Sequence, residues 1–347
     1  MSAKTSLRRV LTLRTAVSTS AGLASAAVNF LACVEIAVYA GPIYGAVALL
    51  ISGGLIALVA GNFAELSAMY PSASAVRLWL KRGLSDRFSM EVSLMYAATV
   101  VFVMAADAFV LAHVFTSLWP SIPGVLWIIL TLAALTLLNL QGVKLSARWQ
   151  DSNALVLLTT VVIFSVLVLL RVPSPHIAVA HYPVNWIEAV SLGVFVFVGF
   201  EWVTPLAEEF RDAHVIPRAL FIALGVIAVA FGLFMLALGR VFPDAHGLMH
   251  TVVPQLAVGR RALGNFGWGW MAFVSLTTAM TTFNGGLATA SRFVYALARE
   301  RVLPPSWAHL NDRLVPSRAL WGLAGIAAVL AVIVYASGQY EYLIDAG

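Results

Sequence analysis

Charge is what this sequence has least of. Asp, Glu, Lys and Arg together make up 11% of its 347 residues, against roughly 25% in soluble domains. No polar stretch between the apolar runs is long enough to be a soluble domain. Cysteine is nearly absent: the single Cys33 lies inside an apolar run, which excludes an intramolecular disulfide and leaves the redox compartment unreadable. No H-E-x-x-H pattern and no G-x-S-x-G frame is present. The net charge of +5 does not point to nucleic acid, because the basic residues sit in short loops rather than on one polar surface. No small-residue cleavage site follows the basic start MSAKTSLRRVLTLR, so this segment is read as a retained cytoplasmic tail.

Apolar residues, in contrast, are 61% of the chain, and the mean hydropathy is +0.91. Runs of about 20 residues, enough to cross a hydrocarbon core of ~30 Å, recur along the whole length. The chain therefore reads as an all-α polytopic membrane protein, a single transmembrane unit over residues 1–347. Apolar length and turn residues place nine spans at about 13–38, 43–70, 90–118, 124–143, 152–172, 186–207, 217–242, 266–298 and 317–337. With the N-terminus in the cytoplasm, the inner loops hold all 21 lysines and arginines except Arg171, Arg240, Arg260 and Arg261. That asymmetry is what the positive-inside rule requires. An odd number of spans puts the C-terminus outside, where the chain stops at YLIDAG with no polar tail and looks cut short.

Two spans carry residues that interrupt helices. The sixth contains VFVFVGFEWVTPLAEEF, Val194 to Phe210, with Gly199, Glu201 and Pro205 close together. Proline removes an amide donor and disfavours helix in the turn before it, which predicts a break near Val198 to Phe200 or, more simply, a kink. The first span holds STSAGLASAAVNF, Ser18 to Phe30, crowded with small and hydroxyl residues that either loosen the helix or let helices pack closely. In lipid, non-helical backbone persists only where it faces protein or a wet cavity. Interruptions at corresponding points of two halves are the sequence pointer to an inverted-repeat transporter site.

At this point the residues resemble a family. FVFVGFEWVTPLAEEFRDAHVIPRAL, Phe195 to Leu220, is similar to the F-x-G-F/Y-E…A-E-E…P…I-P-R-A segment of amino acid permeases of the amino acid-polyamine-organocation superfamily. GNFAELSAMYPSASAVRLWLKRGLSDRFS (Gly61 to Ser89), NLQGVKLSARWQ (Asn139 to Gln150) and SRFVYALARERVLPPSWAHLNDRLVPSRAL (Ser291 to Leu320) resemble its second-span exit, fourth-span exit and eighth-to-ninth-span loop, in order. The resemblance implies a five-plus-five inverted-repeat transporter fold with discontinuous helices 1 and 6, and twelve spans in most members. Spans 1–5, about 13–172, would form the first repeat, and spans 6–9, about 186–337, an incomplete second one, truncated after the ninth span.

The resemblance further implies secondary active transport of an amino acid or related amine across the cytoplasmic membrane by alternating access, as an ion-coupled symporter or exchanger. A free amino acid needs partners for both its ammonium and its carboxylate. A broken helix supplies them: half-helix N-termini offer amides and unwound segments offer carbonyls. By resemblance, Gly22, Ser25, Ala26 and Ala27 lie where the family has a G-S/T-G run, although two glycines of that run are absent here. Phe195 matches the aromatic that closes over substrate, and Phe197, Val198 and Gly199 match the backbone that meets the ammonium.

Asp107 and Glu201 are the acidic residues deepest in the spans, and intramembrane carboxylates are functional candidates by default. Asp107 is read either as a transport residue or as nearer the outer face with a polar partner. Glu201 is read as a protonatable carboxylate or a cap on the break. Glu65 is read as the anchor of an inner-gate network, and Glu35 as hydrated near the outer end of span one. Thr281, among the hydroxyls of span eight, would help complete a sodium site or simply pack. Asn153 to Val162 has no lysine, which removes one version of proton coupling and leaves H+ through another group, Na+, or exchange. No other cofactor, metal or nucleic acid is expected, and the partners are the substrate and the bilayer. The rival readings are a membrane enzyme, a channel and a non-transporting truncated permease. For the enzyme, His246 and His250 with Asp244 suggest a metal site but read as solvated loop residues, and His113 reads as packing or gating.

Overall fold

Helices form wherever the apolar runs leave the backbone no partner but itself. The computed structural model describes residues 7–173, 184–249, 251 and 253–337. The first six residues of the N-terminal tail, His250 and the closing YLIDAG lie outside them. Among the described residues there are ten α-helices, three 3-10 segments and no β-strand. In order, the helices are α1 (Leu13–Leu23), α2 (Val28–Met69), α3 (Val76–Gly83), α4 (Asp86–Leu118), α5 (Gly124–Leu140), α6 (Val143–Arg171), α7 (Trp186–Phe195), α8 (Val215–Val241), α9 (Pro254–Arg299) and α10 (Ser317–Ser337). Six helical stretches are long and apolar enough to cross a membrane, with the shorter apolar α5 beside them.

The helices depart from the expected spans in two instructive places. The 42 residues of α2 comprise two helical arms that meet at a sharp kink at Gly41, whose φ is 73° ahead of Pro42. In a straight helix Ile36 and Gly45 would be roughly 13 Å apart; instead a Cβ on Gly45 would stand 3.1 Å from Ile36 Cγ2. The chain therefore folds back there, and α2 supplies the second arm of span one and all of span two. Likewise α9 turns at Gly264, φ 64°, bringing the backbones of Gly259 and Gly267 together so closely that neither has room for a side chain. Residues Pro254 to Ala262 thus form an arm folded against the long helix that follows.

Local chemistry sets other ends. Ser85 caps α4 by accepting the Phe88 N–H at 3.2 Å, with Asp86 in the first turn where the helix dipole favours a carboxylate. Gly142, φ 114°, makes the tight turn from α5 into α6. Large apolar side chains point outward, Leu58, Leu170 and Ile187 being 73%, 78% and 79% exposed; such a surface suits lipid and would be costly in water.

Two apolar cores fill the interior. One joins α1, α2, α6, α7, α8 and the near end of α9. The other joins the start of α2, α4, α5, α10 and the far part of α9. Phe195 packs against both. Every residue from Thr281 to Ala298 is buried, as expected of a central helix whose TTFNGGLATAS stretch is small enough to be surrounded on all sides.

Candidate functional site

At the seam between the two cores, two helices come apart. α1 ends at Leu23, and Ala24 to Ala27 are non-helical before α2 starts at Val28. Ser25 turns its hydroxyl back onto the Ala21 carbonyl at 2.7 Å, a local bond of the kind that competes with continued helix. The second break runs from Val196 to Gly199. Gly199 adopts φ 105°, ψ −12°, and Phe200–Glu209 then continues as a ten-residue 3-10 helix, far longer than the usual three or four residues. Pro205 lies inside that segment, where it supplies no amide. The carboxylate of Glu201 accepts the Gly199 N–H at 3.2 Å and so caps the break. Trp202 braces the segment by stacking on Tyr96, ring centroids 4.0 Å apart.

The breaks touch each other. A Cβ on Gly199 would stand 3.3 Å from the Cα and N of Ala24 and 3.2 Å from Leu23 Cδ2. Asn29 joins them: its Nδ2 donates to Ala24 O at 2.6 Å and to Val196 O at 3.0 Å. Ser20 Oγ donates to Phe200 O at 2.5 Å. Asp107 reaches in from α4, its Oδ1 accepting the Ala27 N–H at 2.8 Å. Asp107 is 0% exposed and lies at the first helix break.

Above the seam lies a cavity of about 220 Å³ lined by Val28, Leu31, Ala32, Glu35, Glu188 and Phe195, among others. Val28 opens the second arm of the broken first helix and Phe195 closes α7, so the cavity borders the helical residues that flank both breaks. Ser25, Ala26 and Ala27 are buried in the first break. Phe197, expected beside them, is fully buried with its ring directed toward Gly53 of α2, where a Cβ would stand 3.0 Å from Phe197 Cζ; its side chain is packing. Val198 is partly buried in the turn.

Gly22 faces α6 and α9. A Cβ there would meet Gln150 Nε2 at 2.8 Å, Ala154 Cβ at 3.2 Å and Thr281 Cβ at 3.3 Å. The Thr281 hydroxyl donates to Thr278 O at 2.7 Å, and Gln150 donates to Ser18 O at 3.4 Å while accepting from Asn284 Nδ2 at 2.9 Å. A side-chain amide thus occupies the space between the first, fifth and eighth spans.

Glu65 is exposed on α2 and takes part in no hydrogen bond or ion pair found among the described residues. The ion-pair network is built by other acids: Glu209 with Arg292, Glu208 with Arg299, and Glu300 and Asp86 with Arg77. Only tertiary contact brings these partners together. The chain start joins this end, Val10 and Leu11 donating to Glu209 O at 2.8 and 3.0 Å. Asn29 was not singled out by the sequence; an amide side chain in the apolar run just past the first break was the signal available. Asp244 pairs with His246, whose side-chain and backbone N–H groups hold this exposed carboxyl below the usual range. No group of three or more metal-ligating side chains exists among the described residues, and His113 packs against Phe109 and Tyr335.

Comparison with known proteins gives the family. The model of the family described as amino acid permease matches residues 16–345. An uncharacterized amino acid permease of Bacillus subtilis, YecA, is 31% identical over 60% of this chain and 49% of its own length. The low-affinity putrescine importer PlaP of Escherichia coli is 24% identical over 78% of this chain and 63% of its own, and the lysine-specific permease LysP of the same organism is 24% identical over 88% and 67%. The chain thus spans about half to two-thirds of the length of these relatives. The crystal structure of the Eremococcus coleocola manganese transporter, in complex with an aromatic bis-isothiourea substituted compound, superposes with a TM-score of 0.65 at 13% identity, over 100% of this chain and 77% of that one; this likeness is one of fold. An all-helical chain with several membrane-length apolar helices, matched by the family model over most of its length, is an integral membrane protein and belongs to the amino acid permease family.

Proposed function

We propose that the chain is a secondary active transporter that moves an amino acid or related amine across the cytoplasmic membrane by alternating access, as an ion-coupled symporter or an exchanger. The observation that carries this reading is the contact between the two breaks. They bring half-helix ends of opposite character, with the polar side chains of Asn29, Asp107 and Glu201 bonded to them, to one seam between two apolar cores, which suits a zwitterionic or cationic solute that must shed its water. The names of the putrescine importer and the lysine-specific permease support the same solute range. On this reading the fold is a five-plus-five inverted repeat, with spans 1–5 at about 13–172 and spans 6–9 at about 186–337, and the N-terminus is cytoplasmic. Rocking of one packed core against the other about the seam would open the site to each side in turn.

The test is counterflow. The purified protein is reconstituted in liposomes loaded with unlabelled amino acids and amines, and uptake of single labelled compounds is followed with and without sodium and at two pH values. Saturable accumulation of one class establishes transport, and its ion dependence assigns the coupling. No counterflow of any compound by folded protein rejects it.

Phe195 bridges the two cores beneath the cavity, where it serves as a gate. Phe195→Ala is expected to reduce uptake at least tenfold with near-normal yield of folded protein; unchanged uptake removes it from the gate. Glu201 serves both as cap and as a coupling group. Glu201→Gln retains an oxygen that can accept the Gly199 N–H but loses the charge. Its expected effect is a flattened pH dependence of uptake, whereas a wild-type profile leaves Glu201 the cap alone.

A further inference from the structure

The end of the bundle opposite the ion pairs of Arg77, Arg292 and Arg299 carries cations of its own. Arg260 and Arg261 are exposed at the tip of the arm that folds against α9, just before the turn at Gly264. From that turn to Arg292 the helix runs about 42 Å. Arg261 is held in place from below, its Cζ 4.4 Å from the centroid of the Phe242 ring at the end of α8. Between Asp212 and Glu300 the sequence has a single acid, Asp244, and that carboxylate is bonded to His246. Among the described residues neither Arg260 nor Arg261 enters an ion pair.

Arg171, the exposed last residue of α6, stands at the same height on the neighbouring helix. The rings of Phe164 and Trp270 meet with centroids 6.1 Å apart, and the bond between Gln150 and Asn284 farther down the same two helices shows that α6 and α9 run antiparallel. Arg171 lies roughly 10 Å beyond Phe164 along α6, and Gly264 lies roughly 9 Å beyond Trp270 along α9, toward the same end. Below the three guanidinium groups both helices present apolar side chains outward. Ile163 and Leu170 are exposed on α6, and Phe266 and Phe273 on α9, Phe266 by 68%. The two phenylalanines share one helix face, two turns apart. Gly269 between them is exposed, with nothing within 4 Å of where a Cβ would stand, so that face is notched.

Cations at the level where a lipid-facing apolar surface ends stand among headgroups. Guanidinium groups suit phosphate in particular, because their forked N–H donors match its oxygens. A dissolved anion would use only the charge. A phospholipid uses the charge and the notched apolar face beneath it. We propose that this face binds an anionic phospholipid of the leaflet that faces away from the chain start, its phosphate held by Arg260 and Arg261 with Arg171 at the same height, and an acyl chain lying over Gly269 between Phe266 and Phe273. The site is remote from the seam between the two helix breaks and does not depend on which solute is moved.

Native mass spectrometry tests this on the full chain, delipidated in detergent and titrated with phosphatidylglycerol or with phosphatidylcholine of the same acyl chains. The wild type is expected to retain phosphatidylglycerol at least threefold better than phosphatidylcholine, and equal retention overturns the proposal. Arg260→Gln combined with Arg261→Gln should remove most of that preference while leaving the phosphatidylcholine adducts unchanged. A preference kept in full by this variant overturns the assignment and moves the lipid to the cations of the opposite end. Both arginines are exposed, so the melting temperature of the variant without lipid should match the wild type. Gly269→Leu fills the notch and keeps both charges, and it should lower phosphatidylglycerol retention as well; unchanged retention removes the acyl chain from this face. Glycerol 3-phosphate, a headgroup without chains, is expected to leave bound phosphatidylglycerol in place. Its displacement of the lipid at equal concentration would show a site for dissolved anions and overturn the lipid reading.

Discussion

Arg292→Ala is expected to cost about 3–5 kcal/mol of stability, the range for breaking one side of a buried ion pair. Arg292 and Glu209 are both 0% exposed, with Nε to Oε2 at 3.2 Å and Nη2 to Oε1 at 3.3 Å. Nη1 also donates to Ser291 Oγ at 3.1 Å. Removing the guanidinium leaves a carboxylate buried with no counter-charge, and the loss reflects that orphaned charge more than the value of the pair. The consequence is local as well as global. Glu209 ends the 3-10 segment after the second break, and its carbonyl holds Val10 and Leu11 of the chain start. The variant should melt well below wild type in detergent, and Arg292→Met combined with Glu209→Met should recover most of the loss. A single variant that melts at the wild-type temperature would show that water reaches Glu209 in the membrane protein.

The second large effect concerns Asn29. Asn29→Leu keeps the volume and removes the side chain that bonds both breaks, leaving Ala24 O and Val196 O without their shared donor. Each buried carbonyl left unpaired costs about 1–3 kcal/mol. Water entering the seam can relieve part of that, so stability falls by less than the sum while the registry of the two breaks is lost. Uptake is therefore expected to drop at least tenfold even in the fraction of protein that folds. Asn29→Asp should be as damaging, since it replaces a donor with an acceptor facing two carbonyls. Wild-type uptake by the leucine variant would mean that the contact of Gly199 with Ala24 alone holds the breaks together.

Both effects involve residues whose importance is invisible one span at a time. The second break is legible locally: Gly199 tolerates φ 105°, Pro205 lacks an N–H, and Glu201 is near enough in sequence to cap the turn. The first break is less so, because alanine and serine are compatible with helix, and what opens it is partly the Asp107 carboxylate drawing off the Ala27 N–H. Asp107 could be recognised as an expensive residue within an apolar run, but not as the cap of a helix in another span. Glu65 belongs to a stretch that resembles a gate and is exposed on α2, while the ion pairs form among Arg77, Arg292, Arg299 and their acids, partners that no single stretch of sequence brings together.

Taken alone, the sequence determined the apolar character, the all-helical membrane architecture, the resemblance to the permease family and the chemistry of the second break. Each depends on composition or on groups a few residues apart, so hydropathy and backbone sterics suffice to decide them. Tertiary structure alone decided that α2 folds back at Gly41, that Asn29 joins the two breaks, that Asp107 sits on an amide of the first, and that Arg292 neutralises Glu209. A buried polar group must find its partner wherever the packed helices bring one, and that choice is made by the arrangement of the spans in three dimensions rather than by the order of residues along any one of them.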